Sequence, residues 1–115
     1  MVKHVPNQRG VMDQVLKALA DGTRRELVER LVAGPASVGE LAQPLDMSLP
    51  AVMQHLQVLE TAGLIRSEKV GRVRTCHLEP AGLRMAEDWL SRQRTDWEHH
   101  LDALGDLLQE GDSPS

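Results

Sequence analysis

Three cations surround one glycine: Lys69, Arg72 and Arg74 flank Gly71, and from Ser67 to Leu78 the only acid is Glu68. Ammonium and guanidinium groups gathered at a turn are donors for phosphate oxygens. Upstream, Ser48 to Leu59 contains no charged residue at all. Ser48 suits a helix N-cap and Pro50 is tolerated in a first turn, so a helix is expected to begin here. It would present Ser48, Leu49, Pro50, Ala51, Met53, Gln54 and Gln57 outward. Glutamine can pair bidentately with adenine, and Ala or Leu can touch a thymine methyl. The chemistry this pattern allows is readout of A·T-rich duplex by a neutral helix, with phosphate grip supplied elsewhere. Backbone donors at helix starts capped by Ser37 and Ser48 would add to that grip.

Other chemistries find little support. Cys76 is the single cysteine, which rules out an intrachain disulfide or a Cys-pair metal site. On a β-prone segment it is expected to be a small buried apolar residue. His55 reads as a structural histidine serving packing or capping. His99 and His100 are adjacent, and neighbouring helical residues do not share a face. No paired carboxylates, nucleophile–base pair or phosphate loop stand at useful spacing, so neither catalysis nor a cofactor or metal is expected. The only Phe, Tyr or Trp rings are Trp89 and Trp97, too little aromatic surface for most enzyme pockets or base-stacking platforms.

The charge is segregated. The chain carries −4 overall, but residues 1–80 are near neutral and residues 81–115 hold most of the excess acid. That separation suits a protein whose nucleic-acid face and self-association face are different surfaces. With 115 residues the chain is expected to form one domain over residues 1–110, with 111–115 as a flexible tail. No apolar run is long enough for a membrane span, and Met1–Gly10 lacks the core of a signal peptide. A cytoplasmic location with no membrane partner is the expectation.

The elements that would position these residues follow from periodicity. A first helix is expected over 8–20, with Val11, Val15 and Leu19 on one face. Thr23 and Glu26 have capping-box spacing and should open a second helix that buries Leu27, Val28 and Leu31. Ser37 and Glu40 repeat that spacing before a short third helix, which Pro44 ends. The fourth helix buries Val52, Leu56 and Leu59, and Gly63 supplies its left-handed cap. Residues 37–63 therefore read as a helix-turn-helix. Two β-prone segments about Gly71 make a hairpin over 64–79. A final helix over 81–109 repeats Leu83, Leu90, Trp97 and Leu104 every seven residues. Leu101 and Leu108 widen this into a seam that suits a partner helix. The expected fold is mainly α with a small β-hairpin, in the order α-α-α-α-β-β-α.

Specific stretches resemble one family. Leu19-Ala20-Asp21-Gly22-Thr23-Arg24-Arg25 is similar to the opening motif of ArsR-type repressors. Ser37 to Ala42 resembles their third helix. Ser48–Leu59 with Ala62-Gly63-Leu64-Ile65 resembles their recognition helix and its exit. The glycine-arginine hairpin continues the likeness, which covers roughly residues 10–80, and Trp89 and Trp97 resemble a subgroup with two tryptophans in the last helix. The resemblance implies a winged helix-turn-helix repressor, a prokaryotic homodimer binding a palindromic double-stranded DNA operator. Its interface would use the first and last helices: Val11, Val15, Leu83, Leu90, Trp97, Leu101, Leu104 and Leu108. Metal-sensing members carry a Cys-x-Cys element where this chain has Val38-Gly39-Glu40, and no closed His/Cys ligand set replaces it. The expected trigger is therefore not a metal, which leaves room for an unidentified small-molecule effector. The contrasting reading is a winged-helix protein-interaction or antirepressor module.

Overall fold

The computed structural model describes residues 8–111. Five helices and three strands follow in the order α1 (Gln8–Leu19), α2 (Gly22–Val32), β1 (Ala36–Ser37), α3 (Val38–Ala42), α4 (Leu49–Thr61), β2 (Ile65–Val70), β3 (Val73–Leu78) and α5 (Pro80–Gly111). The strands make one antiparallel sheet in the order β1-β3-β2. The expected hairpin is thus a three-stranded sheet, because Ala36 pairs with Cys76 and Ser37 with Thr75. Two residues are too few to show alternation, so β1 has no sequence signature.

Side-chain caps set the starts of α2, α3 and α4. Ser37 accepts from the Glu40 backbone N–H at 3.1 Å, and the Glu40 carboxylate accepts from the Ser37 N–H at 3.2 Å. This is the reciprocal capping box expected at that spacing. The start of α2 differs from expectation. Asp21, with extended backbone (φ −96°, ψ 132°), accepts from the Arg24 N–H at 3.1 Å, and Thr23 lies inside the helix. A carboxylate at a helix start also meets the positive end of the helix dipole, an advantage a threonine hydroxyl lacks.

The α1–α2 corner explains the two arginines that follow. Arg24 donates through Nε to the Ala18 carbonyl at 2.7 Å and through Nη2 to that of Lys17 at 3.1 Å. Arg25 donates to the Leu19 carbonyl at 2.8 Å. These side chains supply donors to carbonyls at the end of α1, where the i→i+4 ladder runs out; the Lys17 carbonyl also accepts from the Ala20 N–H at 3.2 Å. Arg24 Nη1 also meets His55 Nδ1 at 3.3 Å, joining α2 to α4 and giving His55 a structural role.

The Arg24 N–H is the largest influence holding the Asp21 carboxyl below its ordinary value of 3.8, and the nearby Arg24 charge acts in the same direction. Hydrogen bonds from Ser37 depress Glu40 below 4.5. A carboxyl depressed on folding stabilises the fold above its unfolded pKa, and that contribution disappears as pH falls through the folded value. Asp21→Asn is therefore expected to lower the melting temperature at pH 7 and to have little effect near pH 2, as followed by thermal circular dichroism.

The core is aliphatic. Val15, Leu27, Leu41, Val52, Leu59 and Leu64 are fully buried, and Ile65 and Cys76 bring the sheet onto them. Val15 therefore has no surface left for a partner chain, contrary to its expected interface role. Helical periodicity turns it inward with Met12 and Ala18, whereas Leu16 emerges on the outside of α1 at 42% exposure. The hand-over from α4 to the sheet is tight. Gly63 takes φ +78°, and the Leu64 N–H reaches back to the Leu59 carbonyl at 3.0 Å, the pattern of a Schellman cap. Gly82 packs against that turn, where an added Cβ would lie 2.3 Å from the Gly63 oxygen and 2.9 Å from its carbon. Both obstacles are backbone and cannot rotate away. Gly82→Ala is expected to cost about 2–3 kcal/mol by overpacking, roughly a 10 °C loss of melting temperature by calorimetry.

At its N-terminal end α5 is anchored by Ala86, which is buried, and by Leu83, Met85 and Trp89, which pack partly against the core. Beyond Ser91 its side chains are almost all exposed. Helix formation continues through Gly111, past the expected end of 109, and only 112–115 of the expected tail lies outside the described residues.

Candidate nucleic-acid interface

α3 and α4 are joined by a short turn over 43–48, and the Ser48 hydroxyl caps α4 by accepting from the Ala51 N–H at 3.4 Å. The inner face of α4 is spent on Val52, Leu56 and Leu59. Its first turns present Ser48, Leu49, Pro50, Met53 and Gln54 to solvent, with Ala51 half-buried. Gln57 is exposed but one turn further on, and its amide donates to the Thr61 hydroxyl at 3.3 Å.

β2 and β3 bring the cations to the same side of the molecule. Register pairs Lys69 with Arg74 and Val70 with Val73, leaving Gly71 at φ +65° and Arg72 in the turn. An open groove of about 550 Å³ then runs between the start of α3, the face of α4 and the hairpin. Ser37, Leu49 and Met53 line one side; Lys69, Arg72 and Arg74 line the other. The remaining expected contact residues, Ser48, Pro50, Ala51, Gln54 and Gln57, lie outside this groove lining, on α4 or at its cap.

The cations are not equivalent. Among the described residues neither Lys69 nor Arg72 makes an ion pair, and both are exposed. Arg74 donates through Nη1 to the Ser67 hydroxyl at 2.9 Å, and Ser67 in turn donates to the Glu60 carboxylate at 3.2 and 3.3 Å. Sequence reading missed Glu60 and Ser67. The available signal was hairpin register, which puts Ser67 opposite Cys76 and hence diagonal to Arg74 on one face.

Ser37 fits its expected role poorly. Its hydroxyl is consumed by the cap, and the Glu40 carboxylate occupies the same helix start, where it would repel a phosphate. The start of α4 has no acid in its first turn. The Cys76 thiol, 1% exposed, is pushed up by burial and by the Glu60 charge against the opposing Arg74 charge, a net shift that disfavours the thiolate. His99 and His100 are both exposed on α5, where His100 stacks on Trp97 at 6.3 Å between ring centroids. The described residues contain no group of three or more His, Cys, Asp or Glu that could hold a metal ion.

A helix-turn-helix whose exposed face shares a groove with a basic β-hairpin defines a winged-helix DNA-binding protein. A family model for a helix-turn-helix domain matches residues 19–68. The HTH-type transcriptional regulator Rv2034 of Mycobacterium tuberculosis is 46% identical over 101 residues, covering 87% of this chain and 92% of that protein. The transcriptional repressor SdpR of Bacillus subtilis is 29% identical over 79 residues, 69% of this chain and 88% of its own length. A crystal structure of an ArsR family transcriptional regulator superposes with a TM-score of 0.74 at 48% identity, covering 76% of this chain and 97% of that one. The chain belongs to the ArsR family of transcriptional regulators, which are DNA-binding proteins and not enzymes. No described helix is long and apolar enough to cross a membrane.

Proposed function

We propose that the protein is a homodimeric repressor that occupies a palindromic operator and does not sense a metal. The observation that carries this reading is the groove uniting the exposed face of α4 with Lys69 and Arg72. A helix whose residues up to Leu59 carry no charge can enter a major groove by its first turns but draws little from phosphates, so the wing supplies the electrostatic attraction. Leu49 and Ala51 suit thymine methyls, and Gln54 suits adenine, which favours A·T-rich half-sites.

The dimer rests on α5. Leu90, Trp97, Leu101, Leu104, Leu107 and Leu108 are 45–73% exposed along its outer length, a stripe too apolar for a free helix. Leu83 and Val11, both half-buried, lie at the root of that surface. A second copy covers the stripe with its own α5, and the symmetry axis relates two wings and two recognition helices about one DNA turn apart, roughly 34 Å. Repression then needs only occupancy of promoter DNA; the similar SdpR is itself a transcriptional repressor. Val38-Gly39-Glu40 offers no thiol, and a borderline-soft ion needs Cys or His ligands.

Fluorescence anisotropy on duplexes from the region upstream of the protein's own gene tests this function. Nanomolar, salt-sensitive binding of two protomers per duplex, unchanged by chelator or added zinc, is the expected result. An intact dimer that binds no duplex at low salt would instead be a protein-interaction module. A selected consensus of guanine-rich half-sites would contradict the proposed readout.

A further inference from the structure

The outer half of the wing is held to the recognition helix by a polar chain rather than by packing. Ile65 and Cys76 are buried at the base of the hairpin, but every residue from Glu68 to Arg74 is exposed. Between the hairpin and α4 a cavity of about 170 Å³ separates Met53 and Leu56 from the strands. Across that gap runs the sequence Glu60 carboxylate, Ser67 hydroxyl, Arg74 guanidinium, with Ser67 donating to the acid and accepting from the arginine. Glu60 and Arg74 make no direct ion pair, so the hydroxyl is the link.

We propose that Glu60 and Ser67 are positioning residues that hold Arg74 in the groove and fix the angle of the wing against α4. The proposal rests on the DNA-binding reading of the wing. Nη1 is committed to Ser67, which leaves the other donors of the guanidinium for a phosphate oxygen. A long exposed arginine otherwise loses considerable rotamer freedom on binding. The chain removes that freedom in advance, so Arg74 meets a phosphate preorganised. It also couples the two reading elements, because Glu60 stands on the last turn of the helix whose first turns face the bases.

Anisotropy titrations on the upstream duplex, repeated over a salt series, test this with Ser67→Ala, Glu60→Gln, Ser67→Thr, Arg74→Ala and the Ser67→Ala/Arg74→Ala pair. Far-UV circular dichroism checks the fold of each. Ser67→Ala and Glu60→Gln should weaken binding about tenfold, the scale of one charge-assisted hydrogen bond. The salt slope should fall by the same amount as for Arg74→Ala. The paired variant should bind no worse than Arg74→Ala alone, and Ser67→Thr, which restores the hydroxyl, should bind like the native protein. If Ser67→Ala unfolds the wing, Glu60→Gln carries the test with side-chain volume unchanged. Additive effects of Ser67→Ala and Arg74→Ala, or full affinity in both Ser67→Ala and Glu60→Gln while Arg74→Ala is weak, would overturn the positioning role and leave the wing contact standing. Full affinity in Arg74→Ala would overturn it by removing the contact itself.

Discussion

Replacing Lys69 and Arg72 together by alanine is expected to weaken DNA binding on the order of a hundredfold at physiological salt, with the fold intact. Both side chains are exposed and neither makes an ion pair among the described residues, so little stability depends on them. Their energetic role lies in releasing counterions from the duplex. Each phosphate neutralised contributes about 0.9 to the slope of log affinity against log salt. Two wings losing two contacts each should therefore reduce that slope by roughly 3–4. The effect should be nearly the same on operator and on random duplex, because phosphate contacts carry no sequence information. Gln54→Ala should behave differently, weakening operator binding and sparing random duplex. A double variant with an unchanged salt slope would show that the wing does not reach the backbone.

The second large effect is expected from the α5 stripe. Leu101→Glu with Leu104→Glu should turn the proposed dimer into a monomer at micromolar concentration, as read by analytical ultracentrifugation. Covering the stripe on both copies offers a gross gain on the order of 10 kcal/mol, taking about half of full burial for each side chain. That gain is of the same order as the cost of association, so the dimer has little margin to lose. Four buried carboxylates facing one another would remove it. A monomer then binds one half-site only, and loss of the second, effectively intramolecular contact should lower operator affinity by about 10²–10⁴. The same pair of changes should leave the core untouched, since both positions are about half exposed in the protomer. A variant that stays dimeric would place the interface elsewhere.

Legibility in the sequence tracked how locally each feature is encoded. The Ser37–Glu40 box, the Ser48 cap and the Gly63 turn are each written within four to six residues, and each appears where its spacing puts it. Asp21 and Thr23 are both good caps by type; the extended backbone at 21 decides between them, and composition cannot show it. β1 has two residues and no periodicity; its pairing with β3 is a tertiary event. Val15 fell on the apolar stripe of α1 beside Leu16, and only the packed core shows which of the two faces inward.

The candidate contact surface divides in the same way. Leu49, Met53, Lys69 and Arg72 were legible because a neutral helix start and a basic turn are local features. Their convergence on one groove follows from the sheet register, and so does the Glu60–Ser67–Arg74 chain. Ser37 opens a helix as its spacing to Glu40 indicates, yet the acid that completes its cap places a negative charge where a phosphate would bind. The adjacent Arg24 and Arg25 also stand beside the helix-turn-helix, and Arg24 Nε and Nη2 and Arg25 Nη1 donate to the carbonyls ending α1.

Hydroxyl-radical footprinting of the purified protein on DNA upstream of its own gene tests the central claim most directly. The account predicts two protected half-sites related by inverted symmetry, with centres about one helical turn apart. Protection should extend outward to the sugars flanking each half-site, where the wings lie, and that outer protection should vanish in the Lys69→Ala/Arg72→Ala protein. A single unpaired patch, or flanking protection unaffected by the loss of both cations, would contradict it.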